Sequence, residues 1–267
     1  MFRQIPEYAI FPESEPLTSP ADDIFARDLA AAAGQRLLAL RAANAGDPDQ
    51  LRKAGDLGSQ DFLAAELAAA RPGDAILSEE AADDKERLSA DRVWIIDPLD
   101  GTREFGEPGR TDWAVHVALW ERGELTAGAV GLPAQGMVLS TAEPPALPAA
   151  AERIRLVVSR SRPPAFVQQL AEAIDGELVP LGSAGAKAAA VINGQVDAYV
   201  HGGGQYEWDS AAPVAVARAA GLHTSRIDGS ELVYNQEHPW LPDLLICHPS
   251  LAGALVDAIR KIRDSGQ

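Results

Sequence analysis

The stretch WIIDPLDGT at residues 94–102 constrains this chain more than any other. A run of large apolar residues, fit for a buried strand, ends in Asp97 and Asp100, with Pro98 and Leu99 between them and Gly101 and Thr102 directly after. Turn chemistry accounts for a proline and a glycine. It does not account for two carboxylates at the end of a buried strand, which are costly unless something neutralises them. A proline-stiffened chain also points the Leu99 carbonyl inward as a further oxygen ligand. If a helix starts after Gly101, its free N–H groups form an anion site that glycine allows a phosphate to approach closely, and Thr102 adds a hydroxyl. The stretch reads as one place that holds metals with its carboxylates and a phosphate with its following turn.

More acids fall at expected strand ends or helix starts: Asp56 in KAGD, Glu79 and Glu80 in LSEE, and Asp209 in EWDSAAP. Taken singly, Asp56 reads as a turn residue and Glu79 or Glu80 as a solvated acid. Asp209 reads as the N-cap of a helix with Pro213 in its first turn. Converging on one cleft, they would repel one another unless divalent cations neutralised them. Mg²⁺ suits such a set, because it takes oxygen ligands, keeps some waters and completes its shell with substrate phosphate. The chemistry expected is in-line attack by water, one Mg²⁺ lowering the pKa of that water and a second neutralising the leaving oxygen. Phosphatases with an aspartyl nucleophile carry their acid/base aspartate two residues later, whereas Asp97 and Asp100 are three apart.

Periodicity frames the cluster. SPADDIFARDLAAAAGQRLLALRAANAG predicts a long helix capped by Ser19 and stopped at Gly46, and SQDFLAAELAAARPG a second one. The runs AILSEE, VWIID, DWAVHVALW, ELTAGAVGLPA and GMVLST predict strands joined by short turns, hence a largely antiparallel mixed sheet. AEPPALPAAAER reads as a connection. Beyond it the strands IRLVVS, ELVPL, VDAYVH and DLLICH alternate with four helical segments, as in a layered α/β unit. A chain of 267 residues, 46% hydrophobic, supports a subdomain over 1–148 with most of the metal ligands and a second over 149–267 that completes the site. The net charge of −16 argues against a nucleic-acid polymer or an anionic membrane as partner. A lone Cys247 reads as a small buried apolar residue. The first twenty residues show neither a leader pattern nor an apolar span, so a cytoplasmic protein with a loose, proline-rich arm is expected.

WIIDPLDGT, LSEE and WDSAAPVAVARAAG together resemble the three signature blocks of the Mg²⁺-dependent, lithium-sensitive phosphatases of the inositol monophosphatase superfamily. The likeness spans roughly 22–260 and implies a layered α-β-α-β-α sandwich. It implies two or three Mg²⁺ ions held by Glu79, Asp97, the Leu99 carbonyl, Asp100 and Asp209, with Asp56 as an outer or third-metal ligand. Glu79 and Thr102 would orient and activate the attacking water. DPLDGTREF, VVSRSRPP, GSAGAKAAAVINGQVDAY and EWDSAAP resemble in particular the CysQ-like branch, which acts on 3'-phosphoadenosine 5'-phosphate in sulfur assimilation. That likeness implies substrate contacts from Leu99, Asp100, Gly101, Thr102, Arg162, Ser183, Lys187 and Asp209. The branch usually has a histidine where Arg162 stands.

Arg103, Arg110 and Arg160 serve either a second phosphate or ordinary ion pairs. His201, before the glycines of VHGGGQYEWD, marks the neutral wall of a larger, flatter site, and Tyr206 offers a face to adenine. His116, alternating with apolar residues, reads as a satisfied sheet histidine, and Trp94, Trp113, Trp120 and Trp208 as core. Inositol phosphate and fructose 1,6-bisphosphate are the alternative substrates, and a homodimer stays open. A non-catalytic, metal-bound partner protein is disfavoured, because it would keep mutually repelling acids without a use.

Overall fold

The computed structural model describes residues 21–44, 46–150 and 153–265. Ser19 and the expected N-terminal arm lie outside them. Helix α1 (Asp22–Ala43) has Ala21 at its N-cap position, with no side-chain cap, and two acids in its first turn that suit the helix dipole. It ends at Asn44 rather than Gly46, because the Asn44 side chain and N–H both donate to the Leu40 carbonyl. Helix α2 (Pro48–Ala70) starts at Pro48, well before Ser59. Asp47 accepts from the N–H groups of Asp49 and Gln50, and a proline in the first turn forfeits no helical bond. KAGD is therefore helix, and Asp56 projects from a helix face rather than a turn.

Sheet A follows: β1 (Ala75–Ser78), β2 (Arg92–Asp100), the short helix α3 (Thr102–Gly106), β3 (Ala114–Glu121), β4 (Glu124–Leu132) and β5 (Met137–Ser140). Its order is β1-β2-β3-β4-β5, with β1 and β2 parallel and the rest antiparallel, as the short turns require. After the irregular connection come β6 (Arg155–Ser159), α4 (Ala165–Ala173), β7 (Glu177–Leu181), α5 (Ala184–Ile192), β8 (Ala198–His201), β9 (Gln205–Tyr206), α6 (Glu207–Ala219), β10 (His223–Ser225), β11 (Trp240–Leu241), β12 (Leu244–Cys247) and α7 (Ala252–Ser265). Sheet B has the order β10-β12-β8-β6-β7, and β9 pairs with β11 as a separate ribbon. Neither β10 nor this ribbon is evident in the hydrophobic pattern, being only two or three residues long.

Strand alternation explains the layers. Val115, Val117 and Leu119 of β3 face a core shared with Phe25, Leu29 and Leu37 of α1 and Leu63 of α2. Ala114 and Ala118 face the opposite way, into a core built with α5, α6 and the inner face of sheet B. The outer face of sheet B is covered by α4 and α7 through Val167, Leu170, Leu255 and Ile259. The result is an α-β-α-β-α stack in which α5 and α6, from the second half of the chain, lie against sheet A. No helix among the described residues is long and apolar enough to cross a membrane.

Candidate active site

The register of β2 against β3 shifts between Asp97 and Asp100, so the strand end turns both carboxylates toward the seam where α5 and α6 meet sheet A. They are 1% and 6% exposed. Asp209 approaches from α6, where it is the third helical residue rather than the N-cap, and its Oδ2 accepts from the Tyr206 N–H at 2.7 Å. Pro213 falls inside the helix, past its first turn. One carboxylate oxygen from each of Asp97, Asp100 and Asp209 lies within 4.8 Å of the others. Glu79 follows directly on β1 at the rim of this cluster.

Burial, and then the crowding of like charges, disfavours ionisation of three of these groups. Burial, then the charges of Asp100, Glu79 and Asp209, raises Asp97 well above the ordinary carboxylate range. Glu79 keeps solvent access, yet the surrounding protein and then the charges of Asp209, Asp100 and Glu80 push it up to about 7. Asp209 is pushed to about 6 by burial and then by Asp100. An all-oxygen, acidic donor set whose members resist ionising beside one another fits a hard divalent cation such as Mg²⁺.

Asp100 behaves differently. Burial would raise it, but His116, Lys187 and the Gly185 N–H hold it below the ordinary range. Its partners come from far along the chain: besides His116, the Ala184 N–H donates to its Oδ1 at 3.1 Å and the Gly185 N–H to its Oδ2 at 2.5 Å, at the start of α5. Ser183, whose Oγ accepts from the Ala186 N–H, is that helix's N-cap. The approach needs a glycine, because a Cβ on Gly185 would lie 2.2 Å from His116 Nε2 and 3.0 Å from Asp100 Oδ2. His116 is fully buried and is no ordinary sheet histidine, since its Nδ1 lies 2.9 Å from the Trp208 carbonyl and its Nε2 3.3 Å from Asp100 Oδ2.

The turn after Asp100 holds the hydroxyl expected of it. Thr102 Oγ1 lies 3.0 Å from Asp56 Oδ1 and 3.1 Å from the Leu99 carbonyl, with one proton for two acceptors. Burial raises Asp56 to about 6, against the lowering effect of Thr102. Gly101 is left-handed at φ 85°, and a Cβ there would meet the Ser183 side chain at 2.7 Å. Its glycine serves backbone conformation and this close approach as well as any phosphate.

The basic residues separate into two groups. Arg103 pairs with Glu107, Arg110 with Asp112, and Arg160 with Glu104 and Glu107 at 2.7 and 2.8 Å. Lys187 is buried, and its ammonium donates to the carbonyls of Gly182 and Ser183. Arg162 is exposed, with no carboxylate partner among the described residues. His201, at the end of β8, is held down to about 4 by burial and by Lys187, so it is neutral. Tyr206 is 43% exposed and stacks on Trp208 with ring centroids 4.7 Å apart. Trp240, which sequence reasoning passed over, is 52% exposed and sits directly opposite Tyr206 in the β9–β11 ribbon. Exposed aromatics at paired positions were the signal, but two-residue strands conceal it.

A layered α-β-α-β-α stack with buried acids gathered where its two sheets' halves meet defines the class of metal-dependent phosphatases. Within that class the chain belongs to the Inositol monophosphatase family, whose sequence profile matches residues 22–263. It is 54% identical over 245 residues to a Mycobacterium tuberculosis protein named 3'-phosphoadenosine 5'-phosphate phosphatase, covering 85% of this chain and 91% of that one. A Mycobacterium leprae protein of the same name is 50% identical over 255 residues, covering 90% and 94%. Among solved structures, CysQ from Bacteroides thetaiotaomicron superposes with a TM-score of 0.75 at 25% identity, covering 85% of this chain and 97% of that one.

Proposed function

We propose that this chain is a Mg²⁺-dependent, Li⁺-sensitive phosphomonoesterase that converts 3'-phosphoadenosine 5'-phosphate and water into AMP and phosphate. The observation that carries the reading is the buried trio Asp97, Asp100 and Asp209, which draws on both halves of the chain and in which Asp97 and Asp209 resist ionisation without a cation. Glu79, Asp97, the Leu99 carbonyl, Asp100 and Asp209 would hold two ions, and Asp56 a third. Bound Mg²⁺ supplies electrostatic activation of water and neutralises charge on the phosphoryl group.

The protein's own groups do the rest. Glu79, at the rim of the cluster and ionised once the cations are in place, would take a proton from the attacking water. Thr102, held between Asp56 and the Leu99 carbonyl, orients that water through its hydroxyl. Gly101 and Ser183 present backbone and hydroxyl groups to the scissile phosphate. Arg162 meets the second phosphate, because it is the basic candidate without an acidic or carbonyl partner among the described residues. Tyr206 and Trp240 offer exposed aromatic faces to the base. In this reading residues 1–148 and 149–267 act as two units that share one site.

The test is phosphate release from 3'-phosphoadenosine 5'-phosphate, inositol 1-phosphate and fructose 1,6-bisphosphate under identical Mg²⁺. The nucleotide is expected to lead in kcat/KM by roughly tenfold or more, the effect of one added charge-assisted contact. Preference for inositol phosphate would overturn the substrate assignment.

A further inference from the structure

We propose that His116 is a positioning residue of the metal centre, tying Asp100 of sheet A to the start of α6 and so setting Asp100 and Asp209 relative to each other. The inference rests on the metal reading of the acid cluster. His116 lies on β3 directly across from Asp97, on the sheet face turned toward α5 and α6. Its neighbours on that face are Ala114 and Ala118, which leave room for the ring. The ring is fully buried, an expensive place for an imidazole without polar partners.

Two contacts explain its presence. The Trp208 carbonyl can only accept, so the Nδ1 atom 2.9 Å from it carries a proton and donates. That carbonyl belongs to the residue just before Asp209. On the opposite side of the ring the buried Nε2 lies 3.3 Å from the carboxylate oxygen of Asp100, an ion-pair contact when Nε2 also carries a proton, although it makes no hydrogen bond of good geometry. A buried nitrogen left without a bond normally signals a function or a missing partner. Here it faces a carboxylate of the proposed metal set, and Gly185 lacks the Cβ that would occupy the same space.

Asp100 and Asp209 already have other anchors, the α5 amides for one and the Tyr206 N–H for the other. The first joins β2 to α5 and the second stays within the start of α6, so neither links Asp100 to Asp209. His116 is the side chain that touches both sides of the cluster, and it does so from a central strand of sheet A. Its removal should leave each carboxylate bonded but free the two to drift apart.

The experiment measures Mg²⁺ binding by calorimetry on the full chain without substrate, beside thermal unfolding in chelator, for native protein, His116→Asn and His116→Gln. Asparagine can keep the Trp208 bond and glutamine the Asp100 contact, so each variant retains one arm. Both are expected to weaken Mg²⁺ about tenfold or more, within the ten- to hundredfold range for groups that orient metal ligands. Unchanged or tighter Mg²⁺ binding in either folded variant overturns the proposal, and a fall in unfolding temperature with native affinity means that the ring only packs. Native protein that binds no Mg²⁺ would instead sink the metal reading itself. If either variant fails to fold, the other decides.

Discussion

Replacing Asp100 by asparagine should destabilise the metal-free protein, whereas replacing Asp97 should not. Simple repulsion predicts that removing either acid relieves the cluster. At Asp100, however, both oxygens are committed, Oδ1 to the Ala184 N–H and Oδ2 to the Gly185 N–H. Asparagine turns one oxygen into an NH₂ group that faces an N–H, so one buried donor loses its acceptor at a cost of about 1–3 kcal/mol. The surviving bond also falls from charge-assisted to neutral, losing about 1 kcal/mol more. Relief of Asp97, Glu79 and Asp209 offsets part of this, leaving a net loss on the order of 1–3 kcal/mol.

Asp97 accepts one backbone bond, from the Leu99 N–H, and its ionised form is disfavoured by burial. A raised folded pKa means stability present below the unfolded value and lost as pH rises toward the folded one. Asparagine does not titrate, so Asp97→Asn should be neutral or stabilising at pH 7. Asp100 has the opposite sign: its folded pKa is depressed, so its contribution is present above the unfolded value and lost in acid. Chemical denaturation in excess chelator at pH 7 checks this. Equal shifts for the two variants, or stabilisation by Asp100→Asn, would refute the argument from the α5 amides. Both variants should lose at least about 10²-fold in kcat, the scale of a lost transition-state electrostatic contact.

Two more outcomes are expected. Arg162→Ala should lower kcat/KM for 3'-phosphoadenosine 5'-phosphate by roughly 10- to 10²-fold and spare inositol 1-phosphate, while Lys187→Met, which strips two carbonyls of their donor, should lower stability and both activities together; equal losses for Arg162→Ala on both substrates would remove it from the second-phosphate site. Mg²⁺ affinity should rise from pH 5.5 to 8 with protons released on binding, because Glu79 at about 7 and Asp209 at about 6 must ionise, and calorimetry in buffers of different ionisation enthalpy would show no proton release if this is wrong.

Much of this architecture is legible in residue order because the strands are strongly patterned and the acids sit where apolar runs stop. WIIDPLDGT declares both a buried strand and its charged end, and EWDSAAP brings its acid within a helical start. The extent of α2 was concealed by glycines at 55 and 58, although Asp47-Pro48 is itself an N-cap signature. What residue order does not carry is contact across the fold. The bonds to Asp100 come from residues 84 and 85 positions away, and the His116 contact with Trp208 spans 92. The resemblance likewise put Lys187 beside Arg162 as a substrate contact, but only packing reveals that its ammonium turns back onto Gly182 and Ser183.

The central claim is that the buried carboxylates work only with a divalent cation. Phosphate release from 3'-phosphoadenosine 5'-phosphate, followed while Mg²⁺ is titrated into chelator-treated full-length protein, tests it most directly. Release should be absent without Mg²⁺, saturate as Mg²⁺ is added, and fall when Li⁺ is introduced. Undiminished turnover in excess chelator would contradict the account.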